Sequence, residues 1–376
     1  MTKNNKKIAI KVTSYLGVSP NGAEPFTIKF FCEYLNEFGY EVELIGAEIL
    51  PDSLKKYKNF VYFRYMKLPK ILRMFLHIPI SICNVYKYSK IRKPDLIMCV
   101  GGVFYNGLSV MLIGKLMNIT SLVRTAEDHY NFYKFCTTLR SKVFHYLVNF
   151  RISQFVLRKS DYVLTTGERS KEYFESRGIE EDRIFGIPGK IELDQFYYDD
   201  NNLFEDLGIP KNKKIILFIG ALSGIKGANF LPEIIKKINL LSDDYHFLIV
   251  GNENEYGSRI KNEIESTGFR NIKFLDSQPR EVLRKIYSSA NVLIFLCRVG
   301  VGYGQVTLEA AACNLPVLSL NPGIDVEWWL GKHCCNSVDE MVKRIVQGEY
   351  EVPELPSSFN EKHIKTEYSR LFNKIL

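Results

Sequence analysis

Short β-rich apolar runs alternate with stretches of helical periodicity along most of this chain. Residues 7–13, KIAIKVT, alternate in the manner of a first strand, and Phe30, Phe31, Leu35 and Phe38 then recur at helical spacing between Phe26 and Gly39. Gly39 supplies a helix stop and residues 41–46, EVELIG, predict a second strand, so the opening 46 residues read as a βαβ unit. Further strands are expected over residues 95–100, 121–125 and 162–166, separated by helical stretches. That alternation predicts a parallel, doubly wound sheet.

A polar segment, residues 197–214, precedes a second series that opens with the very apolar IILFIG of residues 215–220. HFLIVG (246–251), IKFLD (272–276), VLIFLC (292–297) and PVLSL (316–320) continue it, each beside a helical run. A second doubly wound domain is therefore expected. In such sheets ligands bind beyond the carboxyl ends of the strands, so the loops opening at Gly220, Gly251, Asp276, Arg298 and Asn321 are expected to line one crevice.

Composition supports two cores. The 376 residues are 46% hydrophobic and 24% charged, enough for two ordinary domains and against pervasive disorder. The nearest approach to a membrane span, residues 71–85, is short and carries Arg73 and His77, and the N-terminus lacks the apolar stretch of a signal peptide. A cytoplasmic location, possible also at the inner face of the cell membrane, is expected. Eight cysteines are scattered without a C-x-x-C pair and read as buried thiols; adjacent Cys334 and Cys335 could instead chelate or oxidise, but no partner stands at ligand spacing. The net charge of +8 comes from the first half: residues 1–200 carry 29 Lys+Arg against 21 Asp+Glu, and residues 201–376 carry 21 of each. Residues 53–93 hold 11 basic side chains, no acidic one and many aromatic residues, a composition that suits an anionic membrane surface and a lipid-linked acceptor. Solvated lysines over an apolar core face would give the same composition.

Three stretches carry a recognisable pattern: FIGALSGIKGANFLPEIIKKI, FLIVGNEN, and FLDSQPREVLRKIYSSANVLIFLCRVGVGYGQVTLEAAACNLPVLSLNPG. They resemble the donor half of the family 4 retaining glycosyltransferases, and NGAEPFTIKFFCEYLNEFGYEVELIG and RIFGIPGKIELDQF add matches in the first half. The resemblance implies an α/β protein of GT-B fold, two doubly wound Rossmann-like domains facing across a cleft. Residues 1–200 would form the acceptor-side domain and 213–358 the nucleotide-sugar donor domain. A C-terminal helix at about 359–376 would pack back on the first. It implies transfer of a sugar from a nucleotide-diphosphate donor to a glycan or lipid-linked acceptor, in cell-surface polysaccharide or glycolipid synthesis, with no cofactor beyond the donor and no metal.

A diphosphate leaving group needs cations and backbone N–H groups aimed at it. Lys226, in GIKG, matches the family's diphosphate lysine, and Gly220 ends the strand before it. The arginine usual after that glycine is replaced by Ala221, and Arg298 is the expected substitute cation. Gly302, Gly304 and Gln305 in RVGVGYGQ suit close approach of backbone amides to phosphate or sugar, and Glu309 matches the carboxylate that accepts from the donor ribose. The family's first glutamate of this pair falls at Val301, which cannot accept a hydrogen bond. In the first half, Gly22 gives the backbone room in a loop near donor and acceptor, and His129, beside Glu127 and Asp128, can donate a hydrogen bond or carry a proton. Pro188, Gly189, Glu192 and Phe196 match an interdomain turn.

Each feature has a plainer counterpart: a solvated lysine, a glycine-rich turn, a carboxylate on an exposed helix face, an idle loop histidine. Two other functions stay open from the residues alone, a nucleotide-sugar epimerase and a non-catalytic relative that binds a sugar nucleotide or a partner. Nucleic acid is not expected as a partner, because no nucleic-acid module accompanies the basic half. A dehydrogenase is disfavoured because no G-x-G-x-x-G follows the first strand.

Overall fold

The computed structural model of the chain describes residues 6–12, 23–64, 70–136, 138–189, 195–200, 203–204, 207–253, 255–297, 302–320 and 322–376. Two compact units result: residues 1–190 with 362–376, and residues 191–361.

In the first unit the strands β1 (Lys7–Lys11), β2 (Glu41–Ile45), β3 (Asn59–Phe60), β4 (Leu96–Val100), β5 (Thr120–Arg124), β6 (Tyr162–Thr165) and β7 (Ile184–Gly186) form one sheet in the order β3-β2-β1-β4-β5-β6-β7. Every pair is parallel; Ile8 of β1 lies opposite Val42 on one side and Leu96 on the other. Central strands read as near-continuous apolar runs because helices cover both faces. On one face the helix Ala23–Glu37 buries Ile28, Phe31, Cys32 and Leu35; of the four positions that carried its periodicity, Phe31 and Leu35 are fully buried and Phe30 and Phe38 only partly. The C-terminal helix Glu361–Ile375 lies against it, with the fully buried Tyr368 ring edge-on to Phe31 at 5.4 Å and close to Phe30 and Tyr34. Aromatic pairs of this geometry contribute about 0.5–1.5 kcal/mol each beyond area burial. Tyr368 also shares a hydrogen bond with the Arg124 guanidinium, a cation only 8% exposed that sits over the Phe31 ring.

The apolar stretch of residues 71–85 lies inside the helix Lys70–Arg92, which accommodates Pro79. Among the described residues, no helix is long and apolar enough to cross a membrane.

The second unit repeats the plan with β8 (Lys214–Ile219), β9 (Tyr245–Val250), β10 (Ile272–Leu275), β11 (Val292–Phe295), β12 (Val317–Leu320) and β13 (Cys334–Cys335), all parallel, in the order β10-β9-β8-β11-β12-β13. Two apolar clusters, one on each face, flank this sheet. The polar stretch that reads as a linker in sequence is partly core: Phe204 and Ile209 are buried in the second unit, as is Phe196 just before it. Cys334 and Cys335 are thiols whose pKa values burial pushes up to about 12 and about 11, so both stay protonated.

Candidate functional site

The second sheet reverses direction at β8, whose neighbours are β9 on one side and β11 on the other. The loops leaving β8 and β11 therefore part at a topological switch point, where an open α/β sheet forms its binding crevice. The β8 loop is wound tightly there. Ala228 N–H donates to Ser223 O at 3.2 Å, Lys226 N–H to the same oxygen at 3.1 Å, and Gly227 N–H to Gly224 O at 3.1 Å. Gly227 adopts φ +74°, and a Cβ at that position would overlap the carbonyl oxygen of Leu296, so the β8 and β11 loops meet backbone to backbone. With its turn fixed from below, Lys226 stands exposed, its aliphatic stem beside Gly220 at the end of β8.

The β11 loop ends at Gly304, which caps the helix Gln305–Ala312 at φ +67° and is hemmed in by Phe295 and Val326. Thr307 Oγ1 donates to Gly304 O at 2.7 Å and holds the first turn. Gly302 is partly buried and Gln305 is exposed at the helix start. One turn further on, Glu309 is 7% exposed and accepts from the Tyr287 hydroxyl at 2.9 Å. Burial raises the Glu309 pKa, while hydrogen bonds from Tyr287 and Gln305 and the positive charge of Arg280 pull it down. Tyr287, wholly buried, is pushed well above its ordinary value by desolvation and by that carboxylate. A carboxylate has about four lone-pair sites, so two held donors leave Glu309 capacity for two hydroxyls of a ligand.

Tyr287 and Arg280 were not legible in the sequence. Both belong to the helix Arg280–Ser289, an ordinary amphipathic pattern, and only the packing of that helix on Gln305–Ala312 turns them toward Glu309. The one signal available was Arg280 at the first position of a helix that follows a strand end.

His129 belongs to the first unit, in the loop after β5. It is 3% exposed, and its Nε2 lies 2.8 Å from Thr125 Oγ1. Burial lowers its pKa against the opposing pull of Glu127 and Asp128, so the ring is neutral near pH 7. Its Nδ1 has no hydrogen-bond partner among the described residues, the Glu127 carboxylate being 3.7 Å away. Asp128 fixes the loop instead, accepting from Tyr173 Oη at 2.8 Å and from Asn131 Nδ2 at 2.7 Å. The structure thus gathers Gly220, Lys226, Gly302, Gly304, Gln305 and Glu309 within the second unit and leaves His129 in the first. Gly22, Arg298, Val301 and Glu192 lie outside the described residues.

Residues 199–327, which contain every one of those second-unit positions, match the family described as glycosyl transferases group 1. The chain carries a group 1 glycosyltransferase domain. Among relatives of this glycosyltransferase is a protein named probable sucrose-phosphate synthase from Thermosipho melanesiensis, 24% identical over 353 residues, covering 84% of this chain and 80% of the relative. Solved structures of similar fold include the sucrose-phosphate synthase of Thermosynechococcus elongatus, at 16% identity, a TM-score of 0.77 and 99% coverage of both chains. HepE of Anabaena, solved in complex with UDP and glucose, aligns at 13% identity and a TM-score of 0.71, again over 99% of each chain. These likenesses show the fold, GT-B, with two Rossmann-like domains.

Proposed function

We propose that this glycosyltransferase moves a sugar from a nucleotide-diphosphate donor, with retention of anomeric configuration, to a glycan or lipid-linked acceptor in cell-surface polysaccharide or glycolipid synthesis. The observation that carries the donor assignment is the backbone contact of Gly227 with Leu296, which seats an exposed lysine and a buried, unsaturated carboxylate beside one switch point. HepE, of the same fold, is solved with UDP and with UDP-glucose, which supports a uridine donor as the first to test.

In this proposal Lys226 contacts the diphosphate and steadies the charge that develops as the sugar bond breaks. Gly220 leaves room for the phosphates, and the backbone around Gly302, Gly304 and Gln305 approaches phosphate or sugar. Glu309 takes two ribose hydroxyls, held ready by Tyr287. Arg298 adds the second cation in place of the absent arginine at Ala221, and Gly22 serves the first unit's own loop near the substrates. His129, neutral and with an open Nδ1, donates a hydrogen bond to the reacting sugar or carries a proton.

Thermal shift and calorimetry with UDP, GDP, ADP and their sugars test the donor site in the wild type, Lys226→Ala and Glu309→Gln. Hydrogen bonds to charged groups contribute about 1.5–3 kcal/mol, so each variant should weaken nucleotide binding by about 10- to 150-fold. Unchanged affinity in both variants, or no shift with any nucleotide, refutes the donor site.

A further inference from the structure

The first unit carries one helical ridge whose composition and exposure do not belong to a core. Residues 139–159 run as the helix Leu139–His145, a wider π-helical turn Tyr146–Ile152 and the helix Ser153–Lys159. Val148, Ser153, Val156 and Leu157 are buried and anchor it. Its outer side leaves Leu139 78%, Val143 50%, Phe144 45%, Leu147 53% and Phe155 50% exposed. The same segment holds five cations and no carboxylate. Among the described residues, Arg140, Lys142, Arg151 and Lys159 have no acidic partner within ion-pair distance.

The basic stretch of residues 53–93 differs in part. Among its described residues Arg64, Lys87, Lys90 and Lys93 also lack an acidic partner, but only Phe63, Tyr86 and Ile91 are large exposed apolar side chains there, and the other described cations are paired. Lys55 pairs with Asp52, Lys56 with Glu33, Lys58 with Glu41, and Arg92 with Glu43, so those cations are already answered by the protein's own carboxylates. Exposed large apolar side chains interleaved with unanswered cations fit a surface that is apolar beneath and anionic above. A second copy of this chain, seated face to face, would oppose Arg140, Lys142 and Arg151 to their own images.

We propose that the ridge of residues 139–159 docks on an anionic lipid bilayer, with Leu139, Val143, Phe144, Leu147 and Phe155 entering the interface while Arg140, Lys142, Arg151 and Lys159 meet lipid phosphates. Such helices lie in the interface plane and sink their apolar side by about 5–10 Å. Each well-placed cation strengthens binding about fivefold, so three together account for a factor on the order of 100. The inference stands independently of donor and acceptor, because its readout is binding rather than turnover.

The experiment is flotation of the full chain with vesicles of phosphatidylcholine alone or mixed with phosphatidylglycerol. The expected result is binding to the mixed vesicles only, weakened by salt. It should fall on the order of 100-fold in Arg140→Gln/Lys142→Gln/Arg151→Gln and by at least about tenfold in Leu147→Ser/Phe155→Ser, with circular dichroism unchanged. Absence of binding to the mixed vesicles overturns the proposal. So does unchanged binding in both variants, or loss in Lys87→Gln/Lys90→Gln with the ridge variants intact. A dimer in sedimentation that Leu147→Ser/Phe155→Ser disperses, without vesicle binding, would assign the ridge to self-association and equally overturn it.

Discussion

Replacing Tyr287 by Phe removes one oxygen from a fully buried site and leaves the shape intact. The lost hydroxyl donates to the Glu309 carboxylate at 2.9 Å, and Glu309 is itself only 7% exposed. Hydrogen bonds to charged groups contribute about 1.5–3 kcal/mol, and water cannot readily replace this one. In a unit of this size that loss lowers the melting temperature by about 3–12 °C. Its pH dependence distinguishes it from a packing defect. Burial already raises the Glu309 pKa, so the group's contribution to stability is complete below the ordinary carboxylate pKa and shrinks as pH rises. Without Tyr287 the carboxylate is less supported and its pKa climbs further. The difference between wild type and Tyr287→Phe should therefore be largest near pH 8 and smallest below the ordinary carboxylate pKa, near about pH 4, where it should fall below about 1 kcal/mol. Both tryptophans of the chain, Trp328 and Trp329, lie in the second unit, so indole fluorescence in a urea titration follows that unit alone. In Glu309→Gln the Tyr287→Phe penalty should shrink and lose its pH dependence. A penalty below about 0.5 kcal/mol, or one equal at both pH values, would refute the assignment of Tyr287 as the support of an ionised Glu309.

Gly227→Ala should cost at least about 2–3 kcal/mol in the same fluorescence assay, since it adds overlap with the Leu296 carbonyl to left-handed strain; Gly268→Ala, at φ +76° with open space around it, should cost only about 1–2 kcal/mol. His77, 1% exposed, has its pKa lowered to about 4 by burial and by the nearby Lys11 charge. A base depressed in the folded state favours unfolding as it is protonated, so stability should fall by up to about 3 kcal/mol as pH drops from about 6.5 to about 4. Far-ultraviolet circular dichroism should show a shallower fall in His77→Gln. Tyr368→Phe should destabilise the first unit by about 1.5–3 kcal/mol by stripping a hydrogen bond from the buried Arg124, and Arg124→Met should cancel most of that loss in a double-mutant cycle read by urea denaturation.

The ten longer strands were legible because each is an apolar or alternating run of four to six residues, and Lys7–Lys11 and Glu41–Ile45 sit within a residue or two of where periodicity places them. The three others, Asn59–Phe60, Ile184–Gly186 and Cys334–Cys335, are two or three residues long and are held at sheet edges by their neighbours, so no local pattern announces them. The segment before β8 misled for the opposite reason. Its asparagines and acids dominate the composition, while Phe196, Phe204 and Ile209 do the packing. Around the candidate site, Lys226, Gly304 and Glu309 stood out in the sequence through the family resemblance carried by one stretch of chain. Tyr287 and Arg280 reach Glu309 from a different helix, and contact across helices leaves no mark in a single sequence. The basic surface was legible as composition and not as geometry: lysines at 55, 56 and 58 look free in the sequence because Asp52, Glu33 and Glu41 come to them only on folding.

The first unit is not one continuous length of chain. Its core includes Tyr368, Leu371 and Phe372, yet residues 191–361 intervene before that helix is made. At about 5–20 residues per second, a ribosome needs on the order of 10–30 s to pass from one part to the other. For that interval Phe31, Tyr34 and Arg124 wait without their cover, and the second unit can complete itself before the first. The nascent chain would then fold in the reverse of its written order, with the exposed aromatic face of its opening half as the natural substrate for a chaperone.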